Sequence, residues 1–188
     1  MTGPLHRFRP NVFVPERVFR LEDDALAWSD GRNAGRIPYA DIVSLRIYAI
    51  PASIVPGMRR CVVRRRGGGG TVIGSTHYVR LGVTEDRSAS WKPFVRELLV
   101  RVVAADPAVV LMTGQGWTMW SLWIALLAGS LAVLLGAAAA LFAGDFPVGA
   151  IAAVAVVVAL LPLCWRMAGR SRPRRLDAAG VEAAGLLE

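Results

Sequence analysis

From Trp117 to Trp165 the chain carries a single acid, Asp145, and no base. Two apolar runs fill that block. Trp117–Phe142, "WTMWSLWIALLAGSLAVLLGAAAALF", is 26 residues long, and Val148–Trp165, "VGAIAAVAVVVALLPLCW", is 18. A helix of about 20 apolar residues crosses a hydrocarbon core of roughly 30 Å. The pattern therefore predicts two membrane spans, 117–142 and 148–165, joined by a turn at 143–147. A soluble hairpin of this apolarity would need protein on every side, and the 116 residues before it are too few to supply that cover.

Arginine sets the expected orientation. Residues 1–116 hold 17 Lys and Arg against 10 Asp and Glu, a net of +7. The tail 166–188 holds 5 against 3, a net of +2, and the turn holds only Asp145, which together make the +8 of the whole chain. Basic flanks stay on the cytoplasmic side. Both ends are therefore expected in the cytoplasm, with the 143–147 turn outside. The opening "MTGPLHRFRPNVF" lacks the apolar core of a signal peptide, so insertion would rest on the first span. Neither span carries an ionisable residue of the kind that marks a proton or ion path, which argues against a transporter or pump.

The first 116 residues read differently. Prolines at positions 4, 10 and 15 suggest an irregular arm over 1–17. Short β-type runs follow at hairpin spacing. In "DIVSLRIYAI" Val43, Leu45, Ile47 and Ala49 alternate with Ser44, Arg46 and Tyr48, as in a strand with one covered face. "RVFRLED" alternates Val18 and Leu21 loosely, and "ALAWSDGRNAGRIPY" places Leu26 and Trp28 at period two before a Gly/Asn turn. The period then changes. Trp91, Phe94, Val95, Leu98, Leu99, Val102 and Val103 fall on one face of a helix. Ser90 is the expected cap, Pro93 falls in the expected first turn, and Asp106-Pro107 is the expected stop. Strands followed by one amphipathic helix make an α+β domain over 18–106, with 107–116 as a linker to the first span.

The order "FRLEDDALAW", "GRIPYADIVSLRI", a basic hairpin "RRCVVRRRGGGGTVI" and a closing helix resembles the bacterial pleckstrin-homology-like (PH-like) domain. The segment "IPYADI", 37–42, is similar to that family's aromatic-x-Asp-Ile step into its third strand. The resemblance covers residues 18–105, under half the chain, and departs from the family in that five or six strands are legible where seven are expected. It implies an antiparallel β-sandwich or barrel closed by a C-terminal amphipathic helix, here followed by a two-helix transmembrane hairpin. It implies a binding or assembly module rather than a catalyst, at a bacterial-type inner (cytoplasmic) membrane crossed twice.

The stretch "RRCVVRRRGGGGTVIGST" nearly matches a phosphate-binding G-x-x-x-x-G-K-[ST] loop from Gly69 to Gly74, but Ser75 stands where lysine is needed. β-formers follow it instead of a helix. The expected structure is a hairpin, its tip built from glycines that accept positive φ. Arg59, Arg60, Arg64, Arg65 and Arg66 on this hairpin, and Arg166, Arg170, Arg172, Arg174 and Arg175 in the tail, are the candidate contacts to anionic lipid or a partner. Basic residues near a cytoplasmic leaflet each contribute on the order of 1 kcal/mol. No recognition helix or RNA-binding signature accompanies this charge, so nucleic acid is not an expected partner.

The spans carry two further features. Trp117, Trp120, Trp123 and Trp165 form an expected interfacial belt. Ala128, Ala132, Gly136 and Ala140 recur every four residues, a surface for close helix packing. Its occupant is the second span, a second copy of the chain or another membrane subunit. Cys61 and Cys164 are not expected to pair in a reducing compartment. With His6 and His77 they give no metal-ligand spacing. No HExxH, GxSxG or CxxC occurs. Ser75, Thr76 and His77 are adjacent, but neighbouring strand residues point to opposite faces. The acidic run Glu22, Asp23, Asp24 suits an exposed turn. The expected protein is therefore non-enzymatic, without cofactor or small-molecule substrate. It binds membrane lipid and a protein partner or its own copy, as a scaffold, assembly factor or regulator. The competing expectation is a structural accessory subunit of a larger membrane complex, bound through its spans.

Overall fold

The computed structural model describes residues 3–50, 57–143 and 148–176. Two compact units divide the chain: residues up to Gly114 joined by the chain from Arg174 onward, and Gln115–Pro173. The first unit is α+β, as expected. In chain order its elements are β1 (Leu5–Phe8), β2 (Arg17–Leu21), β3 (Ala25–Ser29), β4 (Ala34–Pro38), a single 3-10 turn (Tyr39–Asp41), β5 (Ile42–Ala49), β6 (Arg59–Arg65), β7 (Gly70–Gly74), β8 (Thr76–Arg80), β9 (Val83–Asp86), α1 (Ser88–Ala105), β10 (Val110–Thr113) and, beyond the second unit, β11 (Arg174–Leu176). The four-stranded sheet has the order β1-β2-β3-β4, the five-stranded sheet β11-β10-β5-β6-β7, and β8-β9 form a ribbon. No sheet closes on itself, and β10 runs parallel to β5.

Both sheets and α1 contribute to one core. Phe19, Leu21, Leu26 and Ile37 come from the four-stranded sheet, and Leu45, Ile47, Cys61, Val63 and Ile73 from the five-stranded one. The helix adds Trp91, Phe94, Val95, Leu98, Leu99 and Val102, six of the seven stripe residues, while Val103 packs at the margin. Trp91 is fully buried and its indole N–H donates to the Ile73 carbonyl at 3.0 Å, so its one polar atom is satisfied. Tyr39, from the "IPYADI" step, is buried and its hydroxyl donates to the Glu22 carbonyl at 2.8 Å. Arg101 of α1 donates to the same oxygen at 2.6 Å.

Several local expectations are corrected. The arm is not irregular throughout: Leu5–Phe8 form β1, which pairs antiparallel with β2 and buries His6 and Phe8. In β2 the core residues are Phe19 and Leu21, not Val18 and Leu21. A bulge between Ile42 and Ser44 resets the alternation of β5, because one extra residue reverses the faces on either side of it. Ile42, Leu45 and Ile47 are therefore buried, Val43 is half-buried and Ala49 is exposed. The helix begins at Ser88, two residues before the expected cap; the Asp86 carboxylate accepts from the Ser88 N–H at 2.9 Å instead. Pro93 consequently falls in the second turn, where its missing N–H leaves the Ala89 carbonyl without its helical donor. The linker 107–116 contains β10, and the tail 166–188 contributes the last turns of a helix and β11.

The second unit consists of α2 (Trp117–Ala143) and α3 (Val148–Ser171), which contact each other. By length and composition α2 could cross a membrane. The described apolar stretch of α3, Val154–Gly169, is shorter. The expected turn at 143–147 falls, from Gly144 to Pro147, outside the described residues. In α2 the half-buried positions are Trp120, Trp123, Leu127, Ser130, Leu134, Ala137 and Ala140. In α3 the least exposed positions include Val154, Val157, Leu161, Cys164 and Ala168. Spacings of three and four on both helices are those of a coiled-coil-like seam. Ala128, Ala132 and Gly136 are exposed, and a Cβ built on Gly136 meets nothing within 4 Å. The small-residue face, Ala140 apart, is thus not the seam between α2 and α3.

His6 gives the first unit a pH dependence. Its Nε2–H donates to the Gly74 carbonyl at 2.9 Å, and Nδ1 lies 3.1 Å from the Ser90 hydroxyl oxygen, which is also 3.1 Å from the Arg87 carbonyl. Burial holds the imidazole pKa below 6.5; the Gly74 carbonyl opposes this shift and the Arg87 charge adds to it. The unfolded chain therefore takes up the proton first as pH falls, and folding stability drops. The His6 contribution is complete above about pH 6.5 and declines as pH falls from there toward the folded pKa. Unfolding midpoints between pH 8 and 5 should fall more steeply for the parent protein than for His6→Gln, which has no titrating ring.

Candidate functional site

The glycine run is a hairpin connection, as expected. β6 and β7 pair antiparallel with Arg64 opposite Gly70, and strands flank the run on both sides, which excludes a phosphate-binding strand–loop–helix. Gly67, Gly68 and Gly69 all have positive φ, between 76° and 94°. Gly70 is needed for a different reason: a Cβ there would lie 2.1 Å from the Val63 carbonyl oxygen. The Arg65 side chain closes the turn by donating to the Gly68 carbonyl at 3.0 Å, and the Arg66 N–H donates to the Asp41 carbonyl at 2.7 Å.

The sheet register sorts the candidate arginines. Residues directly opposite in a ladder share a face. Leu45, Val63 and Thr71 are aligned on the core side, as are Ile47, Cys61 and Ile73. The opposite face carries the rows Arg175–Met112–Arg46–Val62–Val72, Val110–Ser44–Arg64–Gly70 and Tyr48–Arg60–Gly74. Arg60 and Arg64 therefore flank Arg46 diagonally, at roughly 7–8 Å. Arg175 lies two strands farther along the same row, roughly 10 Å away. No acid occupies any of these paired positions. Arg64 and Arg175 are exposed, Arg46 and Arg60 are half-buried, and an Arg46 guanidinium nitrogen lies 3.5 Å from the Met112 sulfur.

The other candidates are elsewhere. Arg59 pairs with Ala49 and Arg65 with Ile42, so neither belongs to these rows, and Arg66 sits in the turn. Arg174 is opposite Thr113, on the alternate side of β11 from Arg175. Arg166 is exposed on α3, and Arg172 is exposed just beyond it. Arg170 lies in α3, with its side chain outside the described residues. Arg46 was legible as an outward residue of its strand, but its membership of a cluster depends on pairing with β6 and β10. Arg17 was not singled out by sequence. It lines a hollow of about 290 Å³ with Arg60, Asn11 and Thr76, and its Nε is buried with no hydrogen-bond partner among the described residues.

The four-stranded sheet contrasts with this face. Its outward rows place Arg20 and Arg36 on either side of Ala27. Arg36, however, bonds Glu22 at 2.7 Å and also Asp24, so its charge is offset locally. The four tryptophans of the second unit divide evenly between exposed and half-buried. Trp117 and Trp165 are exposed, and Trp117 packs edge-on to Trp120 with centroids 5.4 Å apart. The Trp123 indole N–H is buried without a partner among the described residues.

The remaining reactive side chains have structural surroundings. The Ser75 oxygen accepts from the Arg59 N–H at 2.9 Å. His77 Nδ1 is buried with no partner among the described residues. Both cysteines are free, and burial pushes the Cys61 thiol up to about 12. No group of three or more potential metal ligands occurs among the described residues. No family model, curated protein or solved structure matches this chain.

The two kinds of glycine in the hairpin should separate on substitution. Gly67→Ala meets open space and should cost about 1 kcal/mol from left-handed strain alone. Gly70→Ala must displace backbone and should cost more, on the order of 3 kcal/mol. Urea unfolding of the full chain in mild detergent, followed by tryptophan fluorescence, measures both.

Proposed function

We propose that this is a non-enzymatic membrane protein whose α2 and α3 both cross a bacterial-type inner membrane, with the β-domain and both termini in the cytoplasm. The β-domain is read as a PH-like module that binds anionic lipid or a protein partner, so that the protein works as a scaffold, assembly factor or regulator. The observation that carries the two crossings is the pairing of β10 with β11. Thr113 and Arg174 stand opposite each other in that ladder. The chain therefore leaves and re-enters the first unit at neighbouring points. A chain that crosses once through α2 must return before Arg174, and α3 is the segment available. Its uncharged part, Val148–Trp165, has 18 residues, about 27 Å of helix, at the short end of the roughly 17–25 residues that cross a bilayer core. The arginine excess on both flanks favours the cytoplasmic side for the β-domain.

A second reading, a structural accessory subunit of a larger membrane complex, has its own support. Ala128, Ala132 and Gly136 are exposed while the α2–α3 seam uses other residues. That leaves a smooth helix surface on which another subunit could pack closely.

Cysteine labelling with a membrane-impermeant maleimide tests the crossings, on a background with Cys61 and Cys164 replaced by alanine. In intact spheroplasts Asp145→Cys should react, while Gly67→Cys and Arg172→Cys should react only after lysis. Equal reactivity of all three before lysis, or of none, would rule out the two-pass arrangement.

A further inference from the structure

We propose that the outward face of the five-stranded sheet binds the anionic surface of the membrane through Arg46, Arg60, Arg64 and Arg175. This rests on the membrane reading above and names the surface that carries it. Four guanidinium groups share one face on which no paired position is acidic. None of the four is in an ion pair among the described residues. Met112 lies between Arg175 and Arg46, Val62 lies between Arg60 and Arg64, and Val72 is beside Val62 on the edge strand; all three are half-buried. A basic surface with apolar side chains interspersed suits the headgroup layer, where phosphates meet arginine and short apolar side chains reach the upper acyl region.

Chain connectivity decides the occupant. Arg175 lies two residues beyond Pro173, the last residue of the helical unit, and Met112 lies five residues before Trp117, the first residue of α2. Five residues span at most roughly 18 Å, so the β10–β11 edge of this face is held close to the point where α2 enters the bilayer. The electrostatic attraction of a leaflet acts over about a Debye length, roughly 8–10 Å. Arg175, two residues beyond Pro173 and so at most roughly 7 Å of chain from it, falls within that distance of the end of the helical unit. Arg17, at the rim beside Arg60, adds a fifth positive group.

The test uses the full chain in nanodiscs of phosphatidylcholine alone or with about one third phosphatidylglycerol. A fluorophore at Val72→Cys, with Cys61 and Cys164 replaced by alanine, reports the face, and a nitroxide on the lipid headgroup quenches it. Quenching should be several-fold stronger in the anionic discs and should vanish in about 0.5 M salt. It should be lost in R46S/R60S/R64S/R175S and kept in R7S/R20S/R32S/R80S, which removes the same charge elsewhere, provided both variants retain the parent's circular dichroism and melting. Equal quenching in the two disc types would overturn the proposal, as would equal loss in the two variants, which would make net charge the cause. A face that stays unquenched in anionic discs overturns it in favour of an acidic protein partner. Failure of the underlying membrane reading looks different: the chain would then elute apart from the discs or be released by alkaline carbonate.

Discussion

The pairing of β10 with β11 is the constraint on which the architecture turns. Three rungs, Leu111 with Leu176, Met112 with Arg175 and Thr113 with Arg174, join chain segments on either side of the whole helical unit. Leu111 is buried and Leu176 packs against the core, so the join is held by apolar contact as well as by backbone hydrogen bonds. Non-local pairing of this kind closes a long loop at an entropic cost, and a three-residue strand cannot meet that cost alone. The cost is shared because β10 is already aligned by its parallel pairing with β5. The strand that returns adds Arg175 to a face begun by β5 and β6.

The core explains why that face is outward. α1 and the four-stranded sheet occupy the inner side of β5, β6 and β7, filling it with Trp91, Phe94, Leu98 and their neighbours. Alternation then forces Ser44, Arg46, Tyr48, Arg60, Val62 and Arg64 to the other side. The bulge at Ile42–Ser44 is what puts β5 in that phase. The concentration of positive charge is therefore a consequence of how the core is packed, as well as of how many arginines the chain contains.

Some of this was legible from sequence for identifiable reasons. The stripe of α1 repeats over four turns, long enough for a 3.6-residue period to stand out. The hairpin was legible because consecutive glycines between β-formers leave few alternatives. β1, β10 and β11 were not legible. They have three or four residues each, too short for a period, and two of them lie in regions whose prolines or arginines suggested other roles. The start of α1 was misplaced because the helix follows Arg87 without a side-chain cap, and Ser90 lies inside its first turn with the hydroxyl on the Arg87 carbonyl. The occupant of the small-residue face was left open because a run of small residues marks where helices can approach, while the partner's side chains decide where they do.

What the sequence determined by itself is local and compositional. An uncharged run of helix length, a basic excess on its flanks, one amphipathic helix and a glycine hairpin follow from side-chain chemistry within short windows. What only the tertiary structure decided is which of the 22 basic residues share a face. Arg46, Arg60 and Arg64 come from two consecutive strands and Arg175 from one more than 100 residues later, and register brings them to one face. Register depends on long-range pairing and on a single bulge, neither of which leaves a periodic signal in the residues that it aligns.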